Sequence, residues 1–138
     1  MNKVIRSSIV VISAIVLLSI GWFANTANQN KQTSDAKSVA NKFTTSILSN
    51  NNVSAYAITT KGFKSGVTQS QFDELFKDSA SKTAKITNEA VGRTSKSIVV
   101  IYTITGLPKN SAGSTVGLMT VTLEKESGKW LVKSGILY

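Results

Sequence analysis

The sequence predicts an α+β domain behind an N-terminal transmembrane helix, with two or three helices packed on an antiparallel sheet of about four strands. Three observations predict it. Ser7 to Ala24 (SSIVVISAIVLLSIGWFA) is an uncharged apolar run, the stretch after it places apolar residues at helical spacing, and from Thr83 onward the period falls to two. Helices followed by a run of antiparallel strands is the order in which helices gather on one face of a sheet.

The leader comes first. At about 1.5 Å per residue a helix from Val4 to Ala24 spans roughly 31 Å, close to the ~30 Å hydrocarbon core of a bilayer. Arg6 falls within that count, and its side chain reaches the headgroups by snorkelling. Trp22 and Phe23 stand at the far end, where amphipathic rings favour the membrane boundary. The basic residues Lys3 and Arg6 lie on the near side. That asymmetry puts residues 1–6 in the cytoplasm, residues 7–24 across the cell membrane as a single-pass signal anchor, and the rest outside. A cleaved signal peptide has the same grammar, but cutting after Ala24 puts Trp22 at the −3 position and cutting after Ala27 puts Asn25 there, neither of them small. Both readings export the domain.

Composition narrows the chemistry. With 138 residues, subtraction of the leader leaves room for one compact domain. The chain has no Cys, so an exported domain of this size rests on its hydrophobic core without disulfides. It has no His either, which removes the usual general base and the commonest zinc ligand. Of the net charge of +9, Lys3 and Arg6 supply two, leaving +7 outside. Such a surplus suits lipid headgroups or acidic wall polymers. The cations are scattered along the sequence, however, and Arg93 is the one Arg of the domain, so no polyanion-binding motif or nucleic-acid partner is read from them.

Each later element follows from local chemistry. Asn25–Ser34 (NTANQNKQTS) is polar and aperiodic and reads as a linker, leaving 35–138 as the domain. Thr33 or Ser34 can cap a helix from about Asp35 to Ser49, whose apolar face is Ala36, Val39, Ala40, Phe43, Ile47 and Leu48. Asn50, Asn51 and Asn52 end it. Val53–Thr60 reads as a short second helix or an irregular turn, and Gly62 to Gly66 as a loop around Phe63. Thr68-Gln69-Ser70-Gln71 is a capping box opening a helix that carries Phe72, Leu75 and Phe76. Ala84–Val91 reads as an exposed first strand, and the β-branched run 98–105 as a central strand with both faces partly covered. A loop from Gly106 to Gly113 holds the only proline. Thr115–Lys125 and Lys129–Ile136 form the last strands, joined by a tight turn at Ser127-Gly128.

The helix SVANKFTTSILSNN, the segment AYAITTKGFKSGVTQSQFDELF and the closing pair TVTLEKESGKWLVKSGIL together resemble the cone-shaped domains of the nuclear-transport-factor-like and cystatin-like superfamily. The likeness is to the small bacterial versions that follow one transmembrane helix on the export side, and it covers about Asp35 to Leu137. It implies a cone-like sheet and leaves activity open, since that fold hosts enzymes, binders and scaffolds. Enzymes of the superfamily share acid/base residues inside the cone, often Asp with His or Tyr.

No such set is present here. The seven carboxylates fall mostly at helix starts, helix exteriors or strand ends, and Glu89 is the one on a strand that could face inward. No catalytic residue, metal ligand or cofactor is assigned. Aromatic side chains offer the alternative, a cone that takes a small apolar ligand against a wall of Tyr56, Phe72, Tyr102 and Trp130. The leading expectation is a non-catalytic interaction or scaffold module of the cell envelope with a protein partner, which calls for a filled cone and an exposed apolar or β-edge patch.

Overall fold

The computed structural model describes residues 27–138. Four helices, α1 (Ala27–Leu48), α2 (Asn52–Ala57), α3 (Lys61–Gly66) and α4 (Gln69–Phe76), precede four strands, β1 (Lys85–Arg93), β2 (Ser97–Thr105), β3 (Gly117–Glu126) and β4 (Lys129–Leu137). The strands form one antiparallel sheet in the order β1-β2-β3-β4. Among the described residues no helix is long and apolar enough to cross a membrane. The segment expected to do so, Ser7–Ala24, lies outside the described residues.

Helix α1 starts eight residues before the expected Asp35, inside the stretch read as a linker. Polar residues such as Gln and Lys are good helix formers, and here a tertiary contact holds the first turns. The Arg93 guanidinium donates to the Gln29 carbonyl and to Gln32 Oε1, both at 3.2 Å. Thr33 therefore sits inside the helix, where its hydroxyl bonds back to the Gln29 carbonyl at 2.9 Å instead of capping. The other end stops at the asparagines. Asn50 adopts a left-handed φ of 60°, its N–H reaches the Ile47 carbonyl and that of Asn51 reaches the Ser46 carbonyl, a Schellman closure with Asn in the usual place of Gly.

The short helices follow from caps. Asn51 accepts from the Ser54 N–H at the start of α2. The stretch Gly62–Gly66, expected as a loop, is helical because Thr60 accepts from the Phe63 N–H at 3.1 Å and the Glu126 carboxylate accepts from the Lys61 N–H. The described residues therefore form four helices where two or three were expected. Helix α4 opens with the expected capping box of Thr68 and Gln71.

Ile98, Val100, Tyr102 and Ile104 of β2, Met119, Val121 and Leu123 of β3, and Val132 of β4 turn toward the helices and are buried there with Phe43, Ile47, Phe72 and Phe76. The other face of β2 also buries Val99, so this central strand is covered on both sides as its β-branched run predicts. Ser127 and Gly128, with φ of 52° and 79°, make the two-residue turn between β3 and β4. Pairing between these strands skips Lys133, and the bulge re-phases β4 so that Gly135 and Leu137 continue the face begun by Trp130 and Val132. The edge of β4 is partly closed, because Thr60 N–H donates to the Val132 carbonyl and Val132 N–H to the Ile58 carbonyl, each at 2.9 Å.

At Gly135 the side chain of Phe43 from α1 lies directly against the sheet backbone. A Cβ there would lie 2.4 Å from a ring carbon of Phe43, whose ring is buried and wedged edge-on against Phe72 and Phe76. Gly135→Ala is expected to cost about 1–3 kcal/mol by overpacking, read as a lower denaturant midpoint with an unchanged slope. Phe43→Leu in the same chain should return part of the loss, and additive losses would contradict the contact.

Candidate functional site

The interior of the domain is an aromatic cluster. Phe72 stands at its centre, with ring centroids of Phe76 at 4.9 Å, Tyr56 at 5.5 Å, Phe63 at 5.9 Å and Phe43 at 6.0 Å, mostly edge to face. Of the four residues predicted to wall a cavity, Tyr56 and Phe72 are thus in ring contact. Tyr56 is half-buried, and its hydroxyl donates to the Val67 carbonyl at 2.8 Å. Tyr102, fully buried on β2, belongs to the same core, and Trp130 packs against it from the start of β4. The ammonium of Lys125 lies 5.4 Å from the centre of the Trp130 ring.

Glu89 pairs in register with Tyr102 and shares its helix-facing side of the sheet, as expected for the one inward carboxylate. On edge strand β1 it stays exposed, and it forms an ion pair with Lys37 of α1. The Tyr102 phenol makes a long contact of 3.4 Å to the Lys37 carbonyl. Burial, and secondarily the negative charge of Glu89, push its pKa up to about 12.

An open apolar space lies elsewhere. A cleft of about 620 Å³ sits between the end of α4, the 106–116 loop and the end of β4, with Leu75, Phe76, Leu107, Pro108, Ile136 and Leu137 among its walls. Asp78, Lys109 and Tyr138 stand on its margin. None of the four predicted wall residues lines it, nor the more open hollow of about 850 Å³ between Leu48 of α1 and Ile86 of β1.

The loop over this cleft is held by its own hydrogen bonds. Gly106 adopts a φ of 75°, and a Cβ there would meet the Thr83 carbonyl oxygen at 2.2 Å, so only glycine fits. Its own carbonyl accepts from the Ser81 and Thr83 hydroxyls at 2.6 and 2.8 Å. Further out, Asn110 Oδ1 accepts from the N–H groups of Ala112 and Ser114 at 3.0 and 2.9 Å. Val116, Leu118 and Tyr138, each close to half exposed, extend the apolar surface beside the cleft.

The cleft can bury an apolar group, and the polar groups on its margin can orient one. Among the described residues no group of His, Cys, Asp and Glu could hold a metal ion. Sequence reasoning missed the cleft because its walls come from three distant segments. The one local signal was the glycine-bounded loop containing the only proline.

No known protein family matches the chain, and a search of characterised proteins finds no relative.

The buried phenol gives a pH test. Because its folded pKa exceeds its unfolded value of about 10, the associated stability is complete below pH ~10 and falls as pH rises toward about 12. Phenolate absorbance should therefore show a late ionisation step, and Tyr102→Phe should remove it. Glu89→Gln should bring the step to lower pH. A late step unaffected by Tyr102→Phe would rule out this assignment.

Proposed function

We propose that the chain is a single-pass, membrane-anchored module of the cell envelope, with its N-terminus cytoplasmic and its domain outside, that works by contact with a protein partner. Under this reading residues 7–24 are the anchor, and the domain is one of the cone-shaped domains it resembles. The reading involves no catalysis, cofactor or nucleic acid.

The observation that carries it is the division between a filled interior and an open apolar cleft. The space between helices and sheet is taken up by interlocked aromatic rings, and none of the seven carboxylates is buried. A buried acid/base group with a shifted pKa is the usual mark of proton-transfer chemistry. Apolar surface is instead offered outside, by the cleft and by Val116, Leu118 and Tyr138, as in a contact site. The order of the chain supports the topology, because α1 leaves from one end of the sheet and the cleft lies at the other. An anchored domain would then present its cleft away from the bilayer.

One observation favours a second reading. A volume of about 620 Å³ falls within the range of small-molecule sites, so a small apolar ligand is the alternative occupant, in this cleft instead of against the aromatic wall.

In intact cells the full chain should resist alkaline extraction from membranes, and its domain should be cut by protease added outside. Recovery in the cytosolic fraction, or protection from external protease in cells with a permeable wall, would defeat the anchored reading. A photo-crosslinker at Val116 should give one discrete protein adduct in the envelope, whereas one at Lys42 should not. Native mass spectrometry showing a co-purifying small apolar molecule, with no protein adduct, would select the second reading.

A further inference from the structure

The cations that look scattered in the sequence gather at one end of the fold. Register places the β1–β2 turn beyond Arg93 and Ile98, and the β3–β4 turn beyond Leu123 and Val132, at the same end of the sheet. The first turns of α1 are held there by Arg93, and the start of α3 by Glu126. This end carries Lys31, Lys61, Arg93, Lys96, Lys125, Lys129 and Lys133 against two carboxylates, Glu124 and Glu126. The rest of the domain carries seven cations against five carboxylates. Both carboxylates of the basic end are engaged, Glu124 with Lys133 at 2.6 Å and with the Ser97 hydroxyl at 3.0 Å, and Glu126 with the Lys61 N–H. Lys31, Lys96 and Lys129 are exposed, and no ion pair holds them among the described residues.

The same end is where the leader joins. Helix α1 is already formed at Ala27, so only Asn25 and Thr26 separate Ala24 from it. Three peptide steps span at most about 10–11 Å. A bilayer holding the leader therefore faces the end of the sheet that carries these lysines, the end to which Arg93 fixes the first turns of α1. Trp130, half-buried beside Lys125 near this tip, places an intrinsic fluorophore at this end of the sheet.

From this we infer that the basic end of the sheet is a docking surface for anionic phospholipid headgroups of the bilayer that holds the leader, seating the domain end-on with its apolar cleft outward. The inference rests on the anchored reading above. Charge complementarity and the short tether both favour the lipid surface over a soluble polyanion, since the tether keeps headgroups at the rim continuously.

The test uses the full chain with Trp22→Phe, which leaves Trp130 as the only tryptophan. It is reconstituted into vesicles of zwitterionic lipid alone or mixed with phosphatidylglycerol, each containing a lipid with a nitroxide on its headgroup. Quenching of Trp130 should be clearly stronger in the anionic vesicles. The difference should vanish in about 1 M salt, where the screening length falls to about 3 Å, and in K31Q/K96Q/K129Q. All three lysines are exposed, so circular dichroism should show the triple variant folded. Equal quenching in both vesicle types, with the chain still floating with each, overturns the lipid surface and leaves the anchor standing. A difference that survives both salt and the triple variant also overturns it. A chain that floats with neither vesicle and is released by alkaline carbonate overturns the anchored reading itself. If soluble teichoic-type polyanion abolishes the difference while remaining bound to the chain without vesicles, the surface belongs to a wall polymer and the lipid assignment falls.

Discussion

Everything in the domain depends on how closely α1 approaches the sheet, and that is decided where Phe43 lies over Gly135. A missing side chain on β4 leaves a notch, the Phe43 ring fills it, and Phe72 and Phe76 then close around that ring edge-on. The bulge at Lys133 is needed for this. Without the skipped residue, strand alternation from Val132 would turn Ser134 and Ile136 toward the helix and Gly135 away from it. One irregular pairing thus sets both the depth of the core and the face on which β4 contributes to it.

With the core closed in this way, the apolar cleft and the surplus of cations lie at opposite ends of the sheet. One end has the tight β3–β4 turn, the first turns of α1 and a surplus of cations. The other has a loop stiffened by Asn110 and Gly106, an apolar cleft and half-exposed Val116, Leu118 and Tyr138. The difference follows from topology. In an antiparallel meander the odd and even connections alternate between ends, so the short charged turns share one end, while the long loop falls at the other, near the close of α4.

Local signals were legible in the sequence, and non-local ones were not. Thr68 with Gln71 announced α4, Ser127-Gly128 announced its turn, and the alternation through Ile98 to Thr105 announced a strand covered on both faces, because each depends on residues within a few positions. The start of α1 was illegible. Its stability there comes from Arg93, more than sixty residues away, and Asn-Gln-Asn-Lys-Gln has no apolar period to reveal it. Helix α3 was hidden likewise, since its two glycines argue for a loop and its support comes from Thr60 and the distant Glu126. For the same reason the cleft was not legible: the four aromatics named as a cavity wall lie away from it, and a cleft depends on which distant segments fail to meet.

The early start of α1 also changes what the domain can do mechanically. A ten-residue flexible linker would behave as a coil and let the domain sample many orientations about its attachment point. The helix from Ala27 to Leu48 covers about 33 Å as one piece, and it is fixed at three levels. Arg93 binds its first turns, Lys37 pairs with Glu89 near its middle, and the Leu48 carbonyl accepts from the Ser81 N–H beside the loop that carries the cleft. Any constraint on the residues just before Ala27 is therefore passed to the far end of the domain as a direction, with no slack segment among the described residues to absorb it. Orientation of the cleft is then set by the attachment of α1, because helix, sheet and the loop over the cleft are joined by fixed contacts along its whole length.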